Sequence, residues 1–123
     1  MTAIGLVAHD EKKAAMVAWV TAHRNILGSF RIFSTGTTGG RIREACPELD
    51  VTPLKSGPLG GDQQLGAMIA EGRLSALVFF IDPLSPHPHD VDIKALIRIA
   101  ALNDIPLAVN KASADLVLAG LKA

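Results

Sequence analysis

Five short apolar runs, Ala3–Ala8, Phe30–Phe33, Val51–Leu54, Ala76–Ile81 and Leu107–Val109, each give way directly to a polar or glycine-rich loop. The loops are His9-Asp10, residues 34–39 (Ser-Thr-Gly-Thr-Thr-Gly), residues 56–62 (Ser-Gly-Pro-Leu-Gly-Gly-Asp), residues 82–90, and Asn110-Lys111. Read as parallel strands, the runs deliver every one of these loops to the same edge of one sheet. Ligands of open α/β sheets bind there, outside the carboxyl ends of the strands. The pattern therefore predicts one site holding histidines, carboxylates, hydroxyls and glycine backbone.

Strand and helix patterns alternate without a linker or repeat, as βα units around a parallel sheet require. The expected architecture is α/β: a single-domain three-layer sandwich, with a five-stranded, mainly parallel sheet and helices on both faces. A chain of 123 residues, 49% of them hydrophobic, suits one domain whose central strands are covered on both sides. The run Ala76–Ile81 is continuously apolar and is expected in a central position. Val51–Leu54 carries Pro53, which cannot donate to a ladder, and is expected at an edge.

The first helix is expected from an Asp10 N-cap to about His23, with Met16, Val17 and Val20 inward and Trp19 bordering them. A second covers about Thr38–Cys46 and breaks at Pro47. A third starts at Asp62 and closes at Gly72, with Leu65, Met68 and Ile69 at helical spacing. A fourth runs from about Asp90 to Asn103, and a fifth from about Ser113 to Leu121.

Charge excludes several classes of function. Twelve basic residues balance twelve acidic ones, so neither nucleic-acid nor anionic-membrane binding is expected. The lone Cys46 allows no intrachain disulfide, which points to a reduced, cytoplasmic setting, and it reads as a buried apolar residue. No run has the make-up of a signal peptide or the length of a membrane span.

Three constellations could carry chemistry. The first, residues 35–40 (Thr-Gly-Thr-Thr-Gly-Gly), follows a strand and opens a helix. Its amides and hydroxyls could surround a phosphate-sized anion at the positive end of a helix dipole. It lacks the Gly-Lys-Ser/Thr of a P-loop and the spacing of a dinucleotide fingerprint. A glycine-rich turn with a threonine cap is the plainer alternative. Lys12 and Lys13 begin the first helix, where the dipole disfavours cations by about 0.3–1 kcal/mol each. A nearby anion explains Lys13, whereas Lys12 reads as solvent-facing.

The second constellation, residues 56–64, packs three glycines and a proline ahead of Asp62 and Gln63-Gln64. Glycine density of this kind suits backbone that passes close to another group. Asp62 is either an N-cap, which would make it a weak base, or a pocket carboxylate.

The third is residues 86–92 (Pro-His-Pro-His-Asp-Val-Asp). Side chains of an extended segment alternate, so one of His87 and His89 faces the site, and His89 adjoins the helix start. Asp90 reads as a cap with Lys94 four residues on, while Asp92 either faces the pocket or complements the dipole. A metal site would need His87, His89 and a carboxylate together, and no His-Glu-x-x-His or cysteine pattern supports one. His9, at a strand's carboxyl end, is a further candidate. No Gly-x-Ser-x-Gly elbow supports a serine nucleophile.

Taken together, residues 6–10 (Leu-Val-Ala-His-Asp), 35–39, 56–64 (through Gly-Gly-Asp-Gln-Gln), 79–84 (Phe-Phe-Ile-Asp-Pro-Leu) and 88–92 (Pro-His-Asp-Val-Asp) closely resemble the methylglyoxal synthase family, in the family's order and over nearly the whole chain. The resemblance implies the family's fold and conversion of dihydroxyacetone phosphate to methylglyoxal and inorganic phosphate, with no metal or organic cofactor. It matches Asp62 to the catalytic base, and His89 and Asp92 to its proton-handling partners. His9, Asp10, Ser56, Gly57 and His89 match substrate contacts, and Lys13, Thr35, Gly36, Thr37 and Thr38 match the phosphate cradle. It also implies a homohexamer. The chain stops at Ala123, short of the basic tail of some members, so phosphate regulation through such a tail is not expected. The same fold serves elsewhere as a regulatory domain binding a phosphorylated metabolite. A sensor of that kind would need the threonine cradle but not Asp62, His89 and Asp92 together.

Overall fold

The apolar runs do become strands of one sheet. The computed structural model describes residues 2–84 and 90–122. Strands β1 (Ala3–Ala8), β2 (Arg31–Thr35), β3 (Asp50–Leu54), β4 (Ala76–Phe80) and β5 (Leu107–Ala108) lie in the order β3-β2-β1-β4-β5. All four pairings are parallel, with Leu6 opposite both Ser34 and Val78, and Thr35 opposite Leu54. Every residue of β4 is buried, as its unbroken apolarity requires for an interior strand. Pro53 lies on the edge strand β3, the position in a sheet where a missing N–H is tolerated.

Two apolar layers sandwich the sheet, and strand periodicity assigns residues to them. Ile4, Leu6 and Ala8 of β1 and Ala76, Val78 and Phe80 of β4 face one core. Helices α1 (Lys13–Ala22), α2 (Arg24–Leu27), α3 (Gly36–Ala45) and α6 (Lys111–Gly120) close that side through Met16, Val20, Leu27, Ile42 and Leu118. Val7, Leu77 and Phe79 face the other core, under α4 (Gly61–Ala70) and α5 (Asp90–Leu102), which contribute Leu65, Ile69 and Leu96. Cys46 is buried in the first core. Trp19 is also buried there, only 2% exposed, rather than bordering the stripe. No helix among the described residues is long and apolar enough to cross a membrane.

One expected cap is displaced, and the cap reading of Asp62 is not realised. Asp10 is not an N-cap: the chain enters α1 through a 3-10 turn, Asp10–Lys12, in which the Lys12 N–H is taken by the His9 carbonyl at 2.8 Å. The carboxylate of Asp10 instead meets Lys13 Nζ at 2.8 Å. Asp62 is not a cap either, because Gly60 holds that position in a left-handed conformation (φ 109°) and Asp62 is the second residue of α4. Asn110 caps α6 by accepting the Ser113 N–H at 2.9 Å, so that helix begins two residues earlier than expected. His87 and His89, and the side chains of Asp90 and Asp92, lie outside what is described.

Helix α6 is tied to α1 by one carboxylate. Asp115 accepts Trp19 Nε1–H at 2.8 Å and Lys111 Nζ at 3.2 Å, and His23 Nε2 lies 3.6 Å away. The Trp19 N–H, followed by Lys111, holds the Asp115 carboxyl below its usual 3.8. A carboxyl with a lower folded-state value adds stability in full above the unfolded value and loses it as pH falls through the folded one. We therefore expect urea midpoints, followed by the fluorescence of the only tryptophan, to fall more steeply between about pH 5 and pH 3 in the wild type than in Asp115→Asn. Parallel declines would show that this carboxylate does not couple α6 to pH.

Candidate active site

Strand order decides where the site forms. The chain lays β2 and β3 to one side of β1, then returns to lay β4 on the other, so the topology switches direction between β1 and β4. Loops leaving two such strands diverge above and below the sheet and open a crevice. His9 and Asp82 stand at its base. The His9 N–H extends the ladder to the Phe80 carbonyl at 3.1 Å, and the Asp82 N–H donates to His9 Nδ1 at 2.8 Å. An Nδ1 that accepts an amide needs its lone pair, so the proton of the neutral ring resides on Nε2. The ring is fixed further by an edge contact with Phe79, centroids 5.0 Å apart.

A pocket of about 560 Å³ opens above this seam. From the turn after β1 come His9 and Asp10, and from the head of α1 comes Lys13. From β2 and the head of α3 come Thr35, Gly36, Thr37 and Thr38; from the loop after β3, Ser56 and Gly57; from α4, Asp62; and from beyond β4, Asp82. Lys13 donates to Thr37 Oγ1 and pairs with Asp10, so its ammonium is held over the first turn of α3. Lys12, expected to face solvent, does not line the pocket. Thr35 occupies the cap position of α3 without a side-chain cap bond, so its hydroxyl does not occupy the helix's first amides. Thr38, 1% exposed, has no hydrogen-bond partner for its hydroxyl among the described residues. A lysine, a helix N-terminus and a buried hydroxyl on one wall suit a phosphate-sized anion.

The same pocket is lined by Asp62, 4% exposed. Close backbone approach places it. A Cβ on Gly61 would run into the Lys55 carbonyl and stand 2.9 Å from Thr35 Cγ2. The head of α4 is therefore pressed against the ends of β2 and β3 at a separation that only glycine permits. Gly36 (φ 41°) does the same from the other side, since a Cβ there would sit 2.7 Å from Ser56 Cα.

Ten of the twelve residues singled out from the sequence thus line one pocket. His89 and the side chain of Asp92 lie outside the described residues, although α5, which carries Asp92, starts from this edge. Sequence reasoning assigned no role to Asp82, a buried pocket residue whose Oδ1 accepts the Leu84 N–H at 3.1 Å. Its signal was there: it is the first charged residue after the most apolar strand. No group of three or more His, Cys, Asp and Glu among the described residues is arranged to hold a metal ion.

The chain has close relatives. A family model described as MGS-like domain matches residues 15–109. A methylglyoxal synthase from Rhizobium rhizogenes is 60% identical over 112 residues, covering 91% of this chain and 89% of that protein. One from Brucella ovis is 58% identical over 118 residues, covering 96% and 94%. A crystal structure of methylglyoxal synthase from Elizabethkingia anophelis superposes with a TM-score of 0.90 at 44% identity, covering 97% of this chain and 78% of that one.

Two neighbouring glycines should respond oppositely to the same change. Gly36→Ala forces both a left-handed backbone and a clash, and is expected to destabilise by about 1–3 kcal/mol and weaken binding of inorganic phosphate. Gly40→Ala, inside α3 with nothing within 4 Å of the added methyl, is expected to stabilise by about 0.5–1 kcal/mol. Urea denaturation and phosphate titration calorimetry on both variants check the pair.

Proposed function

Since the chain belongs to the methylglyoxal synthase family, we propose that this pocket converts dihydroxyacetone phosphate to methylglyoxal and inorganic phosphate, with Asp62 as the base. One observation carries the reading: a buried carboxylate and the residues of an anion cradle line one pocket, supplied by different loops.

The chemistry explains the residue types. The substrate binds by its phosphate to the first turn of α3, Thr35, Thr37 and Thr38, with Lys13 closing the cradle. Asp62 takes a proton from the hydroxymethyl carbon beside the ketone. The electrons of that C–H bond form the enediolate, whose oxygen needs donors aimed at it before the charge develops. His9 Nε2–H and the Gly57 amide fill that role. The electron pair then moves on to expel phosphate, as the C–O bond at the other methylene breaks. The resulting enol takes a proton on that methylene carbon and becomes methylglyoxal, so one triose phosphate gives one aldehyde and one phosphate. His89 and Asp92 handle the protons of the oxygens on this reading, and Asp82 steadies His9 in the required tautomer. No step is routed through a metal or organic cofactor. A homohexamer, which rests on the family alone, and a cytoplasmic setting, which rests on the lone cysteine, belong to the same reading.

Incubating the protein with dihydroxyacetone phosphate is expected to release methylglyoxal and phosphate in equal amounts. Asp62→Asn should lower turnover by about a hundred- to ten-thousand-fold, the usual contribution of a positioned base, and still bind inorganic phosphate. Phosphate release without methylglyoxal would instead indicate a phosphatase, and a well-folded, fully active Asn variant would remove Asp62 from the role of base.

A further inference from the structure

Asp62 is followed by two glutamines, and the chemistry proposed above uses neither. The second is engaged at both ends. Gln64 N–H donates to the Gly60 carbonyl at 3.0 Å, as its place in α4 demands. Its side-chain Oε1 reaches back nine residues to accept the Lys55 N–H at 2.8 Å. That amide is the first donor beyond β3, where the ladder to β2 ends at the pairing of Thr35 with Leu54. With no further strand residue to receive it, the chain would be loose where it turns into the pocket.

The segment between these two ends carries much of the site. Within it, the Ser56 carbonyl accepts the Leu59 N–H at 3.0 Å and the Gly61 N–H at 2.9 Å, and the Gly57 carbonyl accepts Gly60 N–H at 3.1 Å. These bonds fold the loop on itself, and the Gln64 side chain fastens its open end to the helix that bears Asp62. Ser56 and Gly57 are thereby fixed relative to Asp62, in the same pocket.

We propose that Gln64 is a positioning residue, which aims the Ser56–Gly57 backbone at the substrate oxygen by clasping the Lys55 amide. The positioning role rests on the proposed function; the clasp itself does not. An amide donor counts in the transition state only if it is aligned beforehand. Loss of the clasp should therefore lower kcat and leave KM nearly unchanged, because the proposed phosphate grip comes from Lys13 and the head of α3, outside the clasped segment.

Gln64→Met keeps the length of the side chain and removes the acceptor, whereas Gln64→Glu retains an oxygen at the same reach. In the ligand-free protein, hydrogen exchange at the Lys55 amide is expected to speed up about tenfold in the Met variant and to return toward wild type in the Glu variant. With dihydroxyacetone phosphate, kcat of the Met variant should drop about three- to tenfold, the worth of one modest hydrogen bond. KM should stay within about twofold, and Glu should restore most of kcat. Unchanged Lys55 exchange in the Met variant overturns the clasp. Faster exchange with kcat intact, or a loss confined to melting temperature, overturns the positioning role. A wild-type protein that makes no methylglyoxal defeats the proposed function and the positioning role together, while the exchange data still judge the clasp.

Discussion

Between β1 and β4 the sheet changes the direction in which it grows, and the functional groups depend on that seam. A continuous parallel sheet would send neighbouring loops to the same side and leave no crevice. Here the loop after β1 runs toward α1 on one face, and the loop after β4 runs toward α5 on the other. The gap is pinned at its floor by two hydrogen bonds, from His9 N–H to Phe80 and from Asp82 N–H to His9 Nδ1. Rigid strands thus hold the imidazole, and its exchangeable proton resides on Nε2. A histidine on a mobile loop could present either nitrogen; this one has had the choice made by the backbone.

The second constraint is steric. Gly36 and Gly61 lie at the heads of two helices on opposite faces of the sheet, and both touch the chain that leaves β3. Removing two side chains lets the turn after β2, the loop after β3 and the head of α4 approach within backbone contact. The consequence is one pocket lined both by Lys13 with the head of α3 and by the carboxylate of Asp62. Helix N-termini favour anions, so Asp62 in the first turn of α4 and, on the proposed reading, an anion at α3 each meet a favourable dipole. Their mutual repulsion is offset locally rather than by a distant charge.

Much of this could be read from the residues, for identifiable reasons. Parallel strands buried on both faces are written as unbroken apolar runs, so Ala76–Phe80 was legible as interior. Pro53 marked the edge because a missing N–H is tolerable only there. The loops after the strands were legible because the sheet's polarity places them together whatever their details. Asp10, read as a cap, and Asp62, for which a cap is one of two readings, do not cap for a local cause: a 3-10 turn precedes each helix, so that His9 caps the first turn and Gly60 caps α4. Contacts between distant segments leave no local mark. The need for Gly36 arises from Ser56, twenty positions along the chain, and Asp82 gains its place from His9 across two strands.

On the proposed reading, the two layers of the sandwich divide the substrate between them. The cradle belongs to α3, which packs through Ile42 into one core, and the base belongs to α4, which packs through Leu65 and Ile69 into the other. Enediolates of triose phosphates can be reprotonated or can expel phosphate. Expulsion requires the C–O bond to stand out of the enediolate plane, where its antibonding orbital overlaps the electron-rich double bond. The torsion about that bond is set by the offset between the group that grips the phosphate and the groups that grip the carbons. In this fold that offset is not left to side-chain rotamers, since backbone contacts at Gly36 and Gly61 fix both helix heads against the same loop. The choice between elimination and isomerisation thus becomes a property of how two helices dock on one sheet.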